Sequence, residues 1–147
     1  MVDVYQNDGI VLEPAGVLGL CLLERMKNKI IGKKVVCILS GGNNDILRYN
    51  EILERSLVFK GLKHYFLIDF NQRPGQLKEF VNNILLNNID ITRFEYLKKT
   101  NKEMGSVLIG IELNAENQYE SFMVNLKKYK YRFKKIEESS LIYNYLI

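Results

Sequence analysis

The sequence predicts an α+β protein, a βαββαβ unit preceded by a short α/β segment, and three features of the pattern carry that prediction. His64, Phe66, Ile68 and Phe70 alternate with Tyr65, Leu67 and Asp69, the period of a strand. Leu77, Phe80, Val81, Ile84 and Leu85 fall on one face at helical spacing. Ahead of both lies an apolar stretch, a short continuous apolar run and a glycine loop, the order of a helix, a strand and a turn.

From Ile10 to Ile31 the apolar residues lie nearly all round, among them Leu12, Val17, Leu18, Cys21, Leu22, Met26 and Ile30, which predicts a buried helix. Glu13-Pro14 can open it, because proline at the first helical position gives up only an amide that has no intrahelical acceptor. Gly32 stops it. Val35 to Leu39 predicts a fully buried strand, of parallel type, ending at Ser40-Gly41-Gly42-Asn43-Asn44. A second amphipathic helix is expected from Asp45 to Val58, with Ile46, Tyr49, Ile52, Leu53 and Leu57 on one side. Residues 1–60 are too short for a complete doubly wound domain, and the only boundary signal lies near Gly61.

The second segment, 61–147, changes rhythm. A strand over Lys63–Phe70 leads to the turn Arg73-Pro74-Gly75 and the helix through Leu77 and Leu85. Asp90 to Lys99 reads as a strand, Thr100 to Gly105 as a polar hairpin connection, and Ser106 to Leu113 as the next strand. A helix from Glu116 to Lys128 and a strand from Tyr131 to Ile136 complete the set. That order is the ferredoxin-like split βαβ, an antiparallel four-stranded sheet with both helices on one face. Tyr65, Leu67, Leu108 and Gly110 fall on the opposite face, and a face that apolar predicts a partner sheet and hence a dimer. The tail from Leu141 to Ile147 is too apolar to hang free and should dock on its own domain or a neighbouring copy.

Composition excludes several function classes. A net charge of +4, with lysines spread along the chain, is a weak basis for nucleic-acid binding. Cys21 and Cys37 lack metal-ligand spacing and sit in apolar runs, so buried reduced thiols are expected, in keeping with the cytoplasm. No apolar stretch is long enough to cross a bilayer, and the first residues do not read as a signal peptide. His64 is the only histidine, and without a partnering histidine, cysteine or carboxylate pair it reads as a packed residue.

Two short motifs remain. Ser40-Gly41-Gly42-Asn43 stands where a strand hands over to a helix, a place where glycines let backbone amides approach a ligand, although an ordinary turn has the same composition. Gln72-Arg73-Pro74-Gly75-Gln76-Leu77 joins the first strand to the first helix of the βαββαβ unit. Its amides at the helix start can receive a carboxylate, or Pro74-Gly75 can simply form a tight helix entry.

Context extends both motifs. Glu13-Pro14-Ala15-Gly16 followed by Ile38-Leu39-Ser40-Gly41-Gly42-Asn43 resembles the last part of the catalytic domain in fold-type-II pyridoxal-phosphate enzymes, threonine dehydratases in particular. The resemblance runs on through Arg48-Tyr49, Glu54-Arg55, Gly61 to Phe66, Gln72 to Gly75, Asp90 to Tyr96 and Gly110 to Leu113, almost the whole chain. It implies a remnant of the catalytic domain over 1–60 and an ACT-like regulatory domain over 61–147. It implies that Ser40, with Gly41 and Gly42, is the relic of a pyridoxal-phosphate site in which the serine meets the ring nitrogen. A neutral hydroxyl there leaves the ring a weaker electron sink than a carboxylate would. Glu13 either stands near the same end of the ring or complements the N-terminus of its helix.

The family's Schiff-base lysine and phosphate-binding glycine loop are not found in this sequence, and the chain begins at Met1 inside the family pattern, like a truncated product. No catalytic residue is expected, no cofactor is expected to be held, and Lys27, Lys29, Lys33 and Lys34 read as surface charges. By the same resemblance, Gln72 to Leu77 is the effector-binding turn, for isoleucine or valine, with Arg73 holding the carboxylate or lying solvated beside it. The expected function is that of a regulatory fragment forming homodimers through its sheets, with a free-standing amino-acid-binding module acting on a partner protein as the alternative.

Overall fold

The computed structural model describes residues 1–45, 47–85, 88–96 and 103–146. Ile46, residues 86–87, Ile147, the end of the strand expected over Asp90 to Lys99 and the first half of the connection expected over 100–105 lie outside them. The chain divides into two compact units, Met1–Leu53 and Glu54–Ile147.

In the second unit the interleaved order appears as read. The elements are β1 (Lys63–Asn71), α4 (Gln76–Ile84), β2 (Ile89–Tyr96), β3 (Met104–Leu113), α5 (Asn117–Lys128) and β4 (Phe133–Lys135); three helices precede them in the chain. The four strands form one antiparallel sheet in the order β2-β3-β1-β4. Central β1 pairs with β3 in continuous register, Phe66 opposite Ile109 and Ile68 opposite Val107. Period-two alternation sends Phe66, Ile68, Phe70, Val107, Ile109 and Ile111 to one face, where Phe80 and Ile84 of α4 and Phe122 and Leu126 of α5 cover them. A fully buried side chain of that size contributes roughly 1.5–3 kcal/mol by area, so this layer dominates the unit.

Boundaries move by a few residues. β2 begins at Ile89, carries a bulge between Ile91 and Arg93, and ends at Tyr96 within the described residues. β3 reaches back to Met104, and β4 is only Phe133–Lys135. After α5 the chain turns at Lys130, which adopts the left-handed conformation with φ 57°. α5 itself opens with the Gln118 side-chain carbonyl accepting from the amides of Asn114 and Ala115 at 2.8 and 3.1 Å.

The opposite sheet face is covered in part by the chain's own tail. Tyr143, in the short 3-10 turn Tyr143–Tyr145, is buried with Tyr65 and Ile136, and Val58, Leu67, Leu108 and Leu146 pack against that cluster. Arg93 Nη1 donates to the Leu146 carbonyl at 3.3 Å and fastens the end of the tail.

The first unit departs from expectation. It holds α1 (Val2–Asp8), a 3-10 turn over Ala15–Val17, α2 (Leu18–Met26) and the start of α3 (Arg48–Phe59). The long buried helix expected over 10–31 is thus a short helix flanked by 3-10 turns, and Leu18 and Leu22 are 66% and 54% exposed. The strand expected over Val35–Leu39 is absent: residues 33–41 carry no regular structure, and Val36 and Ile38 are almost fully exposed. A strand exists only as a member of a ladder, and among the described residues nothing pairs with this run. Cys21 is accordingly exposed and Cys37 half-buried, both as free thiols, in place of the two buried thiols expected. Glycine-terminated α1 was not foreseen, and Gly9 ends it in the left-handed conformation at φ 70°.

Candidate functional site

The turn between β1 and α4 gathers Gln72, Arg73, Pro74, Gly75, Gln76 and Leu77 as the sequence places them. Gly75 is the N-cap of α4 at φ 86°, a conformation that favours glycine, and no side chain caps the helix. The Gln76 amide turns back to the Arg73 carbonyl at 3.4 Å, and the amides of a helix first turn are an anion-receiving feature. Arg73 lies beside them but already has partners: Nη2 donates to Glu79 Oε2 at 2.6 Å and Nε to Gln76 Oε1 at 3.3 Å. Gln76 is buried, and its Nε2 donates to the Tyr131 hydroxyl at 2.7 Å. Tyr131 packs against Phe70 and Phe80, and burial, then the Glu79 charge, raises its phenol above the ordinary range.

The structure thus adds Glu79 and Tyr131 to the turn. Glu79 was legible as an acidic residue in the first turn of an expected helix. Tyr131 lies 55 residues from Gln76 and gave no local signal.

In the first unit Glu13 and Ser40 come together. The Ser40 hydroxyl donates to Glu13 Oε1 at 2.8 Å, and the Asn43 amide donates to Oε2 at 2.7 Å. Backbone joins the same two strands of chain, the Glu13 amide donating to the Ser40 carbonyl at 3.1 Å. Gly41 is required here by the chain itself: a Cβ at that position would lie 2.0 Å from the Val11 carbonyl oxygen. Gly42 faces open space. Behind the loop, the Tyr49 hydroxyl accepts from the Leu12 amide at 3.2 Å and donates to the Leu12 carbonyl at 3.1 Å.

This arrangement fits one edge of a pyridine ring. Ser40 is exposed, and its hydroxyl, which donates to Glu13 Oε1 here, would have to rotate toward an unprotonated ring nitrogen to donate to it. The lysines nearest in sequence, Lys33 and Lys34, are exposed. Among the described residues no group of histidines, cysteines and carboxylates could hold a metal ion, and no helix is long and apolar enough to cross a membrane.

A third arrangement was missed by reading the sequence. Lys63, with its side chain 6% exposed, is ion-paired to Glu54 and lies 3.9 Å from Glu112. The Tyr65 hydroxyl donates to the other Glu54 oxygen at 3.0 Å. Burial, reinforced by the Glu54 charge, pushes the Tyr65 phenol far above its ordinary value. A signal existed, since alternation along β1 puts Lys63 on the same face as Tyr65 and Leu67. His64, on the other side of the strand, stacks on Tyr119 with centroids 4.4 Å apart and sits 2.9 Å from the Gly61 carbonyl. Burial lowers its pKa below 6.5.

Comparison with known proteins places these features. Residues 54–146 match the family described as the C-terminal regulatory domain of threonine dehydratase. The whole chain is 49% identical to the L-threonine dehydratase biosynthetic IlvA of Halalkalibacterium halodurans, over 35% of that protein's length. It is 49% identical over 146 residues to the corresponding protein of Corynebacterium glutamicum, covering 33% of it, and 46% identical over 147 residues to that of Lactococcus lactis, covering 35%. The chain therefore spans about a third of the length of the curated relatives it matches. From residue 54 onward the fold is a sheet-and-helix regulatory domain, and the chain belongs to the threonine dehydratase family.

Proposed function

We propose that this chain is the effector-sensing, subunit-pairing C-terminal part of a threonine dehydratase, with isoleucine or valine bound at the turn from Gln72 to Leu77. The observation that carries the reading is the match of residues 54–146 to the family's regulatory domain, on a four-stranded sheet backed by two helices. The effector carboxylate meets the first-turn amides of α4 beyond Gln76 and takes the Arg73 guanidinium from Glu79. That exchange is cheap, because the Arg73–Glu79 pair is exposed on both sides. Two copies pair through the sheet face that presents Leu67 and Leu108, both only half-buried.

Residues 1–60 we assign to the end of the catalytic domain and 61–147 to the regulatory domain. The intact cytoplasmic enzyme would convert L-threonine to 2-oxobutanoate and ammonia, a step toward isoleucine. Pyridoxal phosphate, when bound, supplies the electron sink for α-proton loss and departure of the β-hydroxyl. Ser40 would donate its hydroxyl to the ring nitrogen of that group, turning from Glu13 to do so, and Gly41 and Gly42 would shape the loop. This chain by itself holds no working cofactor site.

Isothermal titration tests the sensing. Isoleucine or valine should release or absorb heat, and Arg73→Ala should abolish it; flat traces for both ligands in a confirmed dimer would refute the reading. Threonine with pyridoxal phosphate should yield no 2-oxobutanoate from the chain alone, and turnover would refute the assignment of residues 1–60.

A further inference from the structure

The tail places Tyr143 and Leu146 on the sheet face that the pairing of two copies requires. Alternation in β1 and β3 sends Tyr65, Leu67 and Leu108 to that face, and Gly110, opposite Tyr65, leaves room for its ring. Tyr143 sets its own ring edge-on to Tyr65 at 6.2 Å, and Leu146 packs against the same cluster. Sheets stacked face to face stand roughly 10 Å apart, with interlocking side chains filling the gap. A segment of chain and a second sheet therefore cannot occupy the Tyr65 row together.

For so apolar a segment, the tail is held loosely. Tyr143 is 2% exposed, and its hydroxyl is buried without a hydrogen-bond partner among the described residues. Burying the ring is favourable, and stranding the hydroxyl offsets much of that gain. Backbone bonds of the segment are internal, from the Tyr143 amide to the Ser140 carbonyl and from the Leu146 amide to the Tyr143 carbonyl, so they survive if it lifts as a unit. The bond from Arg93 to the Leu146 carbonyl is long, at 3.3 Å. Leu141 and Tyr145 stay 81% and 86% exposed, so docking covers only part of the apolar surface.

We propose that residues 141–146 form a displaceable latch on the pairing face. Docked, the latch covers the Tyr65 row and keeps the domain single; lifted, it frees that row for the sheet of a second copy. The proposal rests on the reading that two copies pair through this face, and it adds what regulates the pairing.

Analytical ultracentrifugation of the full chain provides the test. Tyr143→Phe keeps the ring and removes the stranded hydroxyl, so the tail should dock about tenfold more tightly. With docked and lifted tails near balance, the open fraction falls from about one half to about one in eleven; both copies must open, so pairing should weaken about 30-fold. Tyr143→Ser removes the ring, opens nearly every copy and should tighten pairing about fourfold. Leu67→Glu, beside Lys134, should prevent pairing whatever stands at position 143. Pairing unchanged or strengthened by Tyr143→Phe, or weakened by Tyr143→Ser, would overturn the latch and leave the pairing face standing. The Tyr143→Phe arm decides by itself if Tyr143→Ser fails to fold. Pairing that survives Leu67→Glu, or a chain that stays single in every form, would overturn the pairing face and the latch with it.

Discussion

Replacing Glu54 by glutamine isolates the energetic role of the buried lysine. The substitution preserves shape and leaves Lys63 with its side chain 6% exposed and Glu112, 3.9 Å away, as its remaining carboxylate. Breaking a buried pair from one side costs about 3–5 kcal/mol, because the surviving charge is stranded. Glu54 is 31% exposed, Glu112 remains and glutamine can still accept a hydrogen bond, so the expected cost falls below that range, at about 2–3 kcal/mol. Lys63→Met works from the other side. The carboxylate it leaves keeps the Tyr65 hydroxyl and can turn toward water, so the expected cost is about 1 kcal/mol or less. The double variant should lie well above Glu54→Gln in stability, since no charge is then stranded. Native-state hydrogen exchange of the slowest β1 and β3 amides reads this directly: Glu54→Gln should speed their exchange about 30- to 150-fold. Equal costs for the two single variants, or a double variant no more stable than Glu54→Gln, would refute the stranded-charge argument.

Further outcomes follow from other parts of the same unit. The folded pKa of His64 lies below 6.5, so the unfolded chain binds its proton first as pH falls. Its contribution to stability is therefore complete above 6.5 and is lost as pH drops from there toward the lowered value; an imidazole titrating at or above 6.5 by NMR would contradict this. Gly110→Ala places a Cβ 2.8 Å from Tyr65 Cε1, 3.0 Å from Thr92 Oγ1 and 3.1 Å from Arg93 Cβ. Tyr65 is held by Glu54 and Tyr143 and cannot retreat, so a loss of about 1–3 kcal/mol is expected in urea unfolding, and an unchanged midpoint would contradict it.

The order of elements from Lys63 to Lys135 was legible because each segment carries its own period. Alternation in β1 and β3 and helical spacing in α4 select local geometry and also name the face that is buried. Pro74-Gly75 was legible for a related reason, since a left-handed φ of 86° is a demand made on a single residue. The resemblance to threonine dehydratases rested on residue identities spread over the whole chain, which need no folding to be read.

Tertiary structure decided the remainder. A continuous apolar run such as Val35 to Leu39 records a tendency to be covered and carries no period of its own; with nothing to pair with among the described residues, it forms no strand. Likewise, the apolar face of Tyr65, Leu67 and Leu108 did not say what covers it, and only the folded chain shows the tail placing Tyr143 against part of it. Charge and hydrogen-bond partners were beyond reach where distance in sequence is large, as with Gln76 and Tyr131 or Glu13 and Ser40. Such contacts depend on where separate elements meet, and a local sequence pattern fixes the conformation of each element without fixing that meeting.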